Sequence, residues 1–358
     1  MKDEKKLLQS IIPLLVEWYQ INQRKLPWRK EVTPYQVWIS ETMLQQTRIE
    51  AVIPYYQRFL KELPTVEALA AVESDKLMKL WEGLGYYSRA RNLKKAAEIL
   101  LLSYKGQLPE QASELRKLPG IGDYTAGAIA SIAFGQPEPA VDGNVLRVVM
   151  RLTACDDDIM QPGTKKQVVE LLRAAYPTGQ QAADLTQGLM ELGETICIPN
   201  GSPKCLICPL QSYCRANRKR RVADYPVKSS KKRRKIEERT VLLLSSQGKY
   251  AIHRRERTGL LAGMWELPNR EGNATPAQVV EFLSEQGIET ISCKPCGEAK
   301  HVFTHVEWHM HGYVAECNGE SEHFLWKNAE EIQEEYAIPS AFRFYTRLMT
   351  KDVPRGLD

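Results

Sequence analysis

Four cysteines, Cys197, Cys205, Cys208 and Cys214, fall within eighteen positions in the spacing C-x7-C-x2-C-x5-C. Half of the chain's eight cysteines in so short a stretch point to a ligand set, because four converging thiolates suit tetrahedral zinc or an iron–sulfur cluster. Spacing alone does not choose between these. Disulfides are disfavoured, since nothing else in the sequence suggests an oxidising compartment. Cys155, Cys317 and the pair Cys293 and Cys296 read as structural. Two carboxylates lie in contrasting surroundings. Glu41 sits among Val37, Trp38, Ile39, Met43 and Leu44; if buried there, it stays protonated and can act as a general acid. Asp142, in Pro139-Ala140-Val141-Asp142-Gly143-Asn144-Val145, precedes a helix whose N-terminus favours an anion. A protonated Glu with an ionised Asp is the pairing that cleaves glycosidic bonds through an oxocarbenium-like state. Read singly, Asp142 is an N-cap and Glu41 a surface acid. A third motif, Leu118-Pro119-Gly120-Ile121-Gly122-Asp123-Tyr124-Thr125-Ala126, is a tight turn opening a helix. Gly120 and Gly122 permit close backbone approach, and free N–H groups at the helix start can hold a phosphate. An ordinary helix–helix turn is the alternative reading.

The elements that must position these groups change character along the chain. A length of 358 residues suggests two domains or three. Over the first ~220 residues Leu93, Ala96, Ala97, Leu100 and Leu101, and again Val145, Val148, Val149 and Leu152, follow the spacing of buried helical faces. From Arg215 to Arg239, twelve Lys or Arg stand against three acids, a local charge of +9. That leaves −4 for the rest of a chain whose net charge is +5. Such an island suits a polyanion partner or a solvated linker. Beyond it, Arg239–Leu244, Tyr250–Ile252 after Gly248, and Val302–Val314 read as strands, with helices at Val279–Leu283 and Ala341–Met349. No run approaches the ~18–20 apolar residues of a membrane span. The N-terminus has acids in its first turn and no cleavage site, unlike a signal peptide.

Taken together, S-E-T-M-L-Q-Q-T, G-L-G-Y-Y, L-P-G-I-G-x-Y-T-A, V-D-G-N-V and the four cysteines resemble the adenine DNA glycosylase (MutY) family, within the helix–hairpin–helix glycosylases. The resemblance runs from about residue 7 to the C-terminus. It implies removal of adenine mispaired with 8-oxoguanine, or with guanine, after the base is flipped from the duplex. It implies that Glu41 protonates adenine N7, that Asp142 stabilises or bonds the sugar cation, and that Tyr124 and Asn144 position these two. Gln187 would meet the adenine edge, with Arg24, Trp28 and Arg29 as the opposite wall. Leu44, Gln46, Thr47, Leu84, Gly85 and Tyr86 would contact DNA, with Leu84-Gly85-Tyr86 as an apolar wedge; Gly120 and Gly122 would grip a phosphate. The cysteines would bind a 4Fe–4S cluster. The bifunctional cousin, endonuclease III, carries a nucleophilic lysine where Tyr124 stands, so a monofunctional enzyme is expected.

The C-terminal part resembles the family's Nudix-like domain, most clearly in Gly259-Leu260-Leu261-Ala262-Gly263-Met264-Trp265-Glu266-Leu267-Pro268. The stretch Val279–Gly287 lacks the paired glutamates that hold magnesium, so no pyrophosphatase activity is expected. The loop His301, Phe303, Thr304 and His305 matches the region that reads 8-oxoguanine; His309 and His311 read as alternating strand residues. Two departures stand out. The first cysteine gap is seven residues where the family has six, an extra residue (Asn200 or Gly201) expected to bulge. Thr304 stands where the family has Ser, which keeps the hydroxyl.

The expected fold is an all-α helix–hairpin–helix glycosylase domain, 1–216, joined by a basic linker, 217–236, to an α+β Nudix-like domain, 237–358. The first would comprise a six-helix barrel unit, 30–135, and a cluster-bearing unit, 1–29 with 136–216. The expected partner is double-stranded DNA with A:8-oxoguanine or A:G mispairs, bound by a monomer with no membrane association. The location would be cytoplasmic at a bacterial nucleoid, or the nucleus or mitochondrion of a eukaryote. Competing functions are a mismatch glycosylase acting on thymine and a non-catalytic iron–sulfur DNA-binding protein.

Overall fold

The computed structural model describes residues 2–229 and 233–349. It divides into two compact units. Unit one runs up to Ala71 and again from Asn92 into the basic segment; unit two combines Val72–Arg91 with the chain beyond that segment. The boundary therefore differs from the sequence expectation, which placed 72–91 inside the barrel.

The helical stretch contains α1 (Lys2–Asn22), α2 (Pro34–Leu44), α3 (Ile49–Glu62), α4 (Val66–Ala71), α5 (Ser74–Trp81), α6 (Ser88–Tyr104), α7 (Ala112–Leu115), α8 (Asp123–Phe134), α9 (Gly143–Thr153), α10 (Pro162–Arg173), α11 (Gln180–Thr195) and α12 (Arg215–Arg218). In unit one α11 packs against α1, α8 and α9, and α2 packs against α8. A single apolar core joins α1, α9, α10 and α11 through Leu8, Leu15, Val145, Val149, Leu172, Leu185 and Leu189. Each such buried side chain contributes roughly 1.5–3 kcal/mol of transfer free energy. The periodic face of α9 is buried throughout. That of α6 is buried at Leu93, Ala96, Ala97 and Leu100, but Leu101 is exposed. The i+8 position lies roughly 80° round the helix from the first residue, which carries it to the edge of the stripe.

The segment expected as a basic interdomain linker over 217–236 is tied down at Tyr225 and Val227, with its other described residues mostly exposed. Arg151 Nε donates to the Tyr225 carbonyl at 2.9 Å, and the Ile159 N–H donates to Val227 at 3.1 Å. Tyr225 is buried against Ala154 and Ala216. One buried aromatic anchors an otherwise solvated run, a signal that composition averaged over the basic residues conceals.

Unit two holds a mixed sheet in the order β3-β2-β1-β6-β5, with β4 on β1 and β7 on β2. The strands are β1 (Lys235–Ser246), β2 (Lys249–Arg254), β3 (Trp265–Glu266), β4 (Asn269–Glu271), β5 (Glu289–Val302), β6 (Val306–Asn318) and β7 (Leu325–Lys327). β1 and β6 run parallel; the other pairs are antiparallel. Gln247 and Gly248 turn the β1–β2 hairpin at φ 49° and 80°, the left-handed pair of a tight two-residue connection. Helices α13 (Pro276–Glu285), α14 (Ala329–Glu335) and α15 (Arg343–Met349) flank the sheet. Val241, Leu243, Trp308 and Met310 face one core, and Leu242, Leu244, Tyr313 and Ala315 the other, as strand alternation requires. Among the described residues, no helix is long and apolar enough to cross a membrane.

Candidate active site

Unit one contains a cavity of about 380 Å³ between η-turn Pro27–Arg29, α2, α8, α9 and α11. Its lining includes Glu41, Tyr124, Asp142, Asn144, Gln187 and Glu191. Thr33 caps α2 by accepting the Gln36 N–H, and Pro34 fills the first turn, so the helix starts cleanly and delivers Glu41 two turns in. Glu41 is 6% exposed. The Tyr124 hydroxyl donates to its Oε2 at 2.6 Å. Burial pushes the Glu41 carboxyl up to about 7; the Tyr124 hydrogen bond opposes this and the neighbouring Asp142 charge adds to it. Burial, followed by the charges of Glu41 and Asp142, pushes the Tyr124 phenol well above its usual range. Tyr124 therefore remains a proton donor in the hydrogen bond.

Asp142 is the N-cap of α9. It accepts the Val145 N–H at 2.8 Å and the Asn144 side-chain amide at 2.8 Å. Burial raises its carboxyl above the ordinary range, while those donors pull the other way. The sequence pointed to the helix terminus but not to this burial. Asn144 is fixed in turn, its Oδ1 accepting from Arg147 Nη2 at 2.8 Å. Arg147 also donates to the carbonyls of Gly193 and Cys197, both at 2.8 Å.

The opposite wall is a charge network. Arg24 and Arg29 both donate to Glu191, and Arg24 also to Glu194 at 2.6 Å. Arg29 Nε donates to Gln187 Oε1 at 3.2 Å. Burial works to raise the Glu191 carboxyl, but Arg24 and Arg29 hold it below its usual range. Glu191 and Glu194 were missed from sequence; the signal available was their spacing of four and seven from Gln187 on one helical face. Trp28 lines the cavity but is 7% exposed, its ring edge-on to Tyr56 at 5.3 Å. Leu44, Gln46 and Thr47 lie at the cavity margin.

The glycine turn lies in unit one. Gly120 has φ 79°, and its Cβ position would meet the Asn92 Cβ at 2.7 Å, so only glycine fits. Gly122 is the N-cap of α8 with no side-chain cap, which leaves the first N–H groups of that helix for another acceptor.

In unit two, Leu84 is only 6% exposed, whereas Tyr86 is 45% exposed with φ 48°. The two apolar side chains of the expected wedge therefore differ in burial. Leu84 packs beneath the turn and Tyr86 is its presented side chain, after Gly85 at φ 69°. Phe303, Thr304 and His305 form the β5–β6 hairpin tip, closed by the Phe303 N–H donating to Val306 at 2.8 Å. Thr304 and His305 are exposed. Phe303 stacks edge-on to Trp308 at 4.8 Å and to His301 at 4.5 Å, so its ring is partly structural. Burial lowers the His301 imidazole below its usual range.

The four cysteines lie where α11 ends and two short turns, Cys205–Ile207 and Gln211–Tyr213, come after it. Burial raises the thiols of Cys205, Cys214 and Cys208, the last to about 12, each with Cys197 as a neighbouring charge. Cys197, Cys208 and Cys214 pack against the core of α1, α9, α10 and α11. Arg151 Nη1 lies 3.3 Å from Cys197 Sγ. The residue extra to the family spacing falls in a bend where Gly201 has φ 77° and open space around it. Among the described residues, no three His, Cys, Asp or Glu side chains are grouped to hold a single metal ion. A four-iron cluster takes one thiolate on each iron, so its sulfurs stand apart. Four half-buried thiols, all free of disulfides, fit that donor set.

Both parts of the chain resemble known proteins. The family described as "HhH-GPD superfamily base excision DNA repair protein" matches residues 39–177, and the NUDIX domain matches residues 239–347. The adenine DNA glycosylase of Arabidopsis thaliana is 37% identical over 353 residues, spanning 83% of this chain and 56% of that longer protein. That of Buchnera aphidicola subsp. Acyrthosiphon pisum is 32% identical, spanning 89% of this chain and 92% of its own. The solved structure of a thermostable thymine-DNA glycosylase superposes with a TM-score of 0.54 at 26% identity, covering 61% of this chain and 98% of that one. The chain belongs to the adenine DNA glycosylase family.

Proposed function

We propose that the chain is a monofunctional base-excision glycosylase that hydrolyses the N-glycosidic bond of adenine paired with 8-oxoguanine, or with guanine, in double-stranded DNA. One observation carries this reading: a buried carboxyl near neutral pKa, held by Tyr124, shares a cavity with a second carboxylate at a helix start. Glu41 gives its proton to adenine N7. The C1′–N9 bond breaks with its electron pair passing to the base. Asp142 faces the resulting sugar cation, a water adds to C1′, and that water's proton returns to a carboxylate. Gln187, Arg24, Trp28 and Arg29 wall the base. No lysine occupies the place of Tyr124, so no Schiff base forms there.

DNA would be held by Gly120, Gly122 and the start of α8, and by Leu44, Gln46, Thr47 and Tyr86. His301, Phe303, Thr304 and His305 would read the opposite base. Cys197, Cys205, Cys208 and Cys214 would hold a 4Fe–4S cluster. When bound, it would tie the loop after α11 into one piece, and a visible charge-transfer band with an iron count would detect it. The test of function is a duplex assay across A:8-oxoguanine, A:G, A:C and T:G pairs. Adenine release led by the 8-oxoguanine pair is expected. Release of thymine in its place would favour the thymine reading, and no release by cluster-loaded protein would contradict the enzyme.

A further inference from the structure

Within unit two, Val72–Arg91 is tied to the sheet-bearing part by polar contacts that base release does not use. Lys79 and Glu82, one turn apart at the end of α5, pair with each other at 2.7 Å. Lys79 Nζ also donates to the Tyr336 carbonyl at 3.2 Å, and Glu82 Oε1 accepts the Ile338 N–H at 2.9 Å. Tyr336 is extended, φ −109° and ψ 125°. The C=O of one residue and the N–H of the next but one are the groups an extended segment offers to a neighbouring strand. Here two side chains take that neighbour's place. Arg91 Nη1 adds a bond to the Ala262 carbonyl at 2.8 Å, and Arg254 pairs with Asp75 at 2.9 Å.

The chain just past Glu82 has little slack. The Leu84 N–H donates to Trp81 at 3.1 Å, and the Trp81 indole donates to the Gly85 carbonyl at 3.1 Å. Arg89 Nη2 donates to the carbonyls of Leu84 and Gly85 at 3.1 and 3.2 Å. Tyr86 is thereby held in the left-handed region, and its hydroxyl meets Thr304 Oγ1 at 3.0 Å. A shift of α5 would reach this pair through the three residues between Glu82 and Tyr86.

We propose that Lys79 and Glu82 are positioning residues for reading the base opposite the adenine: their grip on the Tyr336–Ile338 backbone fixes where Tyr86 meets Thr304, so the opposite base encounters a preassembled pair. This rests on the 8-oxoguanine reading above. Both contacts go to main chain, so only the Lys79 and Glu82 side chains can be removed to test them. These are 24% and 30% exposed, and truncating them empties no core.

The experiment is single-turnover adenine release from A:8-oxoguanine and A:G duplexes by the parent chain, the double variant Lys79→Ala with Glu82→Ala, and Glu82→Gln. The double variant should lose about tenfold on A:8-oxoguanine and stay within about twofold on A:G. Glu82→Gln keeps a carbonyl oxygen for the Ile338 N–H and should keep the parent's preference. Thermal unfolding is measured in parallel; if the double variant unfolds early, Glu82→Ala alone is read by the same criterion. Equal losses on both duplexes, or an unchanged preference, overturn the proposal while leaving the 8-oxoguanine reading intact. A parent chain with no preference for 8-oxoguanine removes that reading and the proposal with it.

Discussion

The cavity of unit one and the hairpin tip of unit two both place polar side chains for a base, yet with opposite burial. In the cavity Glu41 is 6% exposed, and Glu191 is enclosed by two arginines. At the tip Thr304 and His305 are exposed, and only the flanking Phe303 ring packs inward. The contrast stems from the chemistry each would perform. A carboxyl keeps its proton near neutral pH only when water is excluded. A reader of base edges needs hydrogen-bonding atoms that a ligand can reach, on a support that does not move.

The largest expected effect lies at the buried end of this contrast. Glu41→Gln should lower single-turnover adenine release by about 10²–10⁴-fold, the usual contribution of a general acid. The same change should stabilise the protein. A folded-state pKa of about 7 against 4.5 favours folding below pH 4.5, and that advantage is lost as pH rises through about 7. The variant should therefore be more stable than the parent at pH 8, by about 3 kcal/mol, with little difference at pH 4. Calorimetry at the two pH values checks the sign; a variant less stable at pH 8 would break the contrast.

Asp142→Asn should cost about 10²–10³-fold in release by removing the charge that faces the sugar cation. Asparagine also caps helices well, so the melting temperature should barely move. Release close to the parent's rate would make Asp142 chiefly a cap. Smaller still is the effect at the exposed end. Thr304→Ala should lower release about tenfold opposite 8-oxoguanine and leave the A:G rate within about twofold. Phe303→Ala should destabilise unit two by about 0.5–1.5 kcal/mol through the lost Trp308 contact, which thermal unfolding would report.

The legible part of the molecule is the part where one residue type admits few roles. The N-cap geometry of Asp142 could be read from its position before Gly143 and Asn144, whereas Glu41 amid Trp38, Ile39 and Met43 left surface and burial both open until the fold enclosed it. The β1–β2 hairpin was visible in the Gly248 signal. What stayed hidden depends on distant partners. Glu191 reads as an ordinary helix-surface acid until Arg24 and Arg29, more than 160 positions away, are folded onto it. Leu84 and Tyr86 are both apolar and two apart; only the successive left-handed residues Gly85 and Tyr86 decide which is buried. The anchoring of the basic segment depends on Tyr225, one residue in a run of cations. The grip of Lys79 and Glu82 ends on main chain at Tyr336 and Ile338, which carries no side-chain pattern.

The central claim, a proton held on Glu41 away from water until the base arrives, is tested most directly by the pH dependence of single-turnover adenine release from an A:8-oxoguanine duplex. The carboxyl must be protonated to act, so the rate should hold below neutrality and fall tenfold per pH unit above about 7. In Tyr124→Phe, which removes the hydrogen bond favouring the ionised form, that limb should move to higher pH. A rate that stays level from pH 6 to pH 9 would contradict the account.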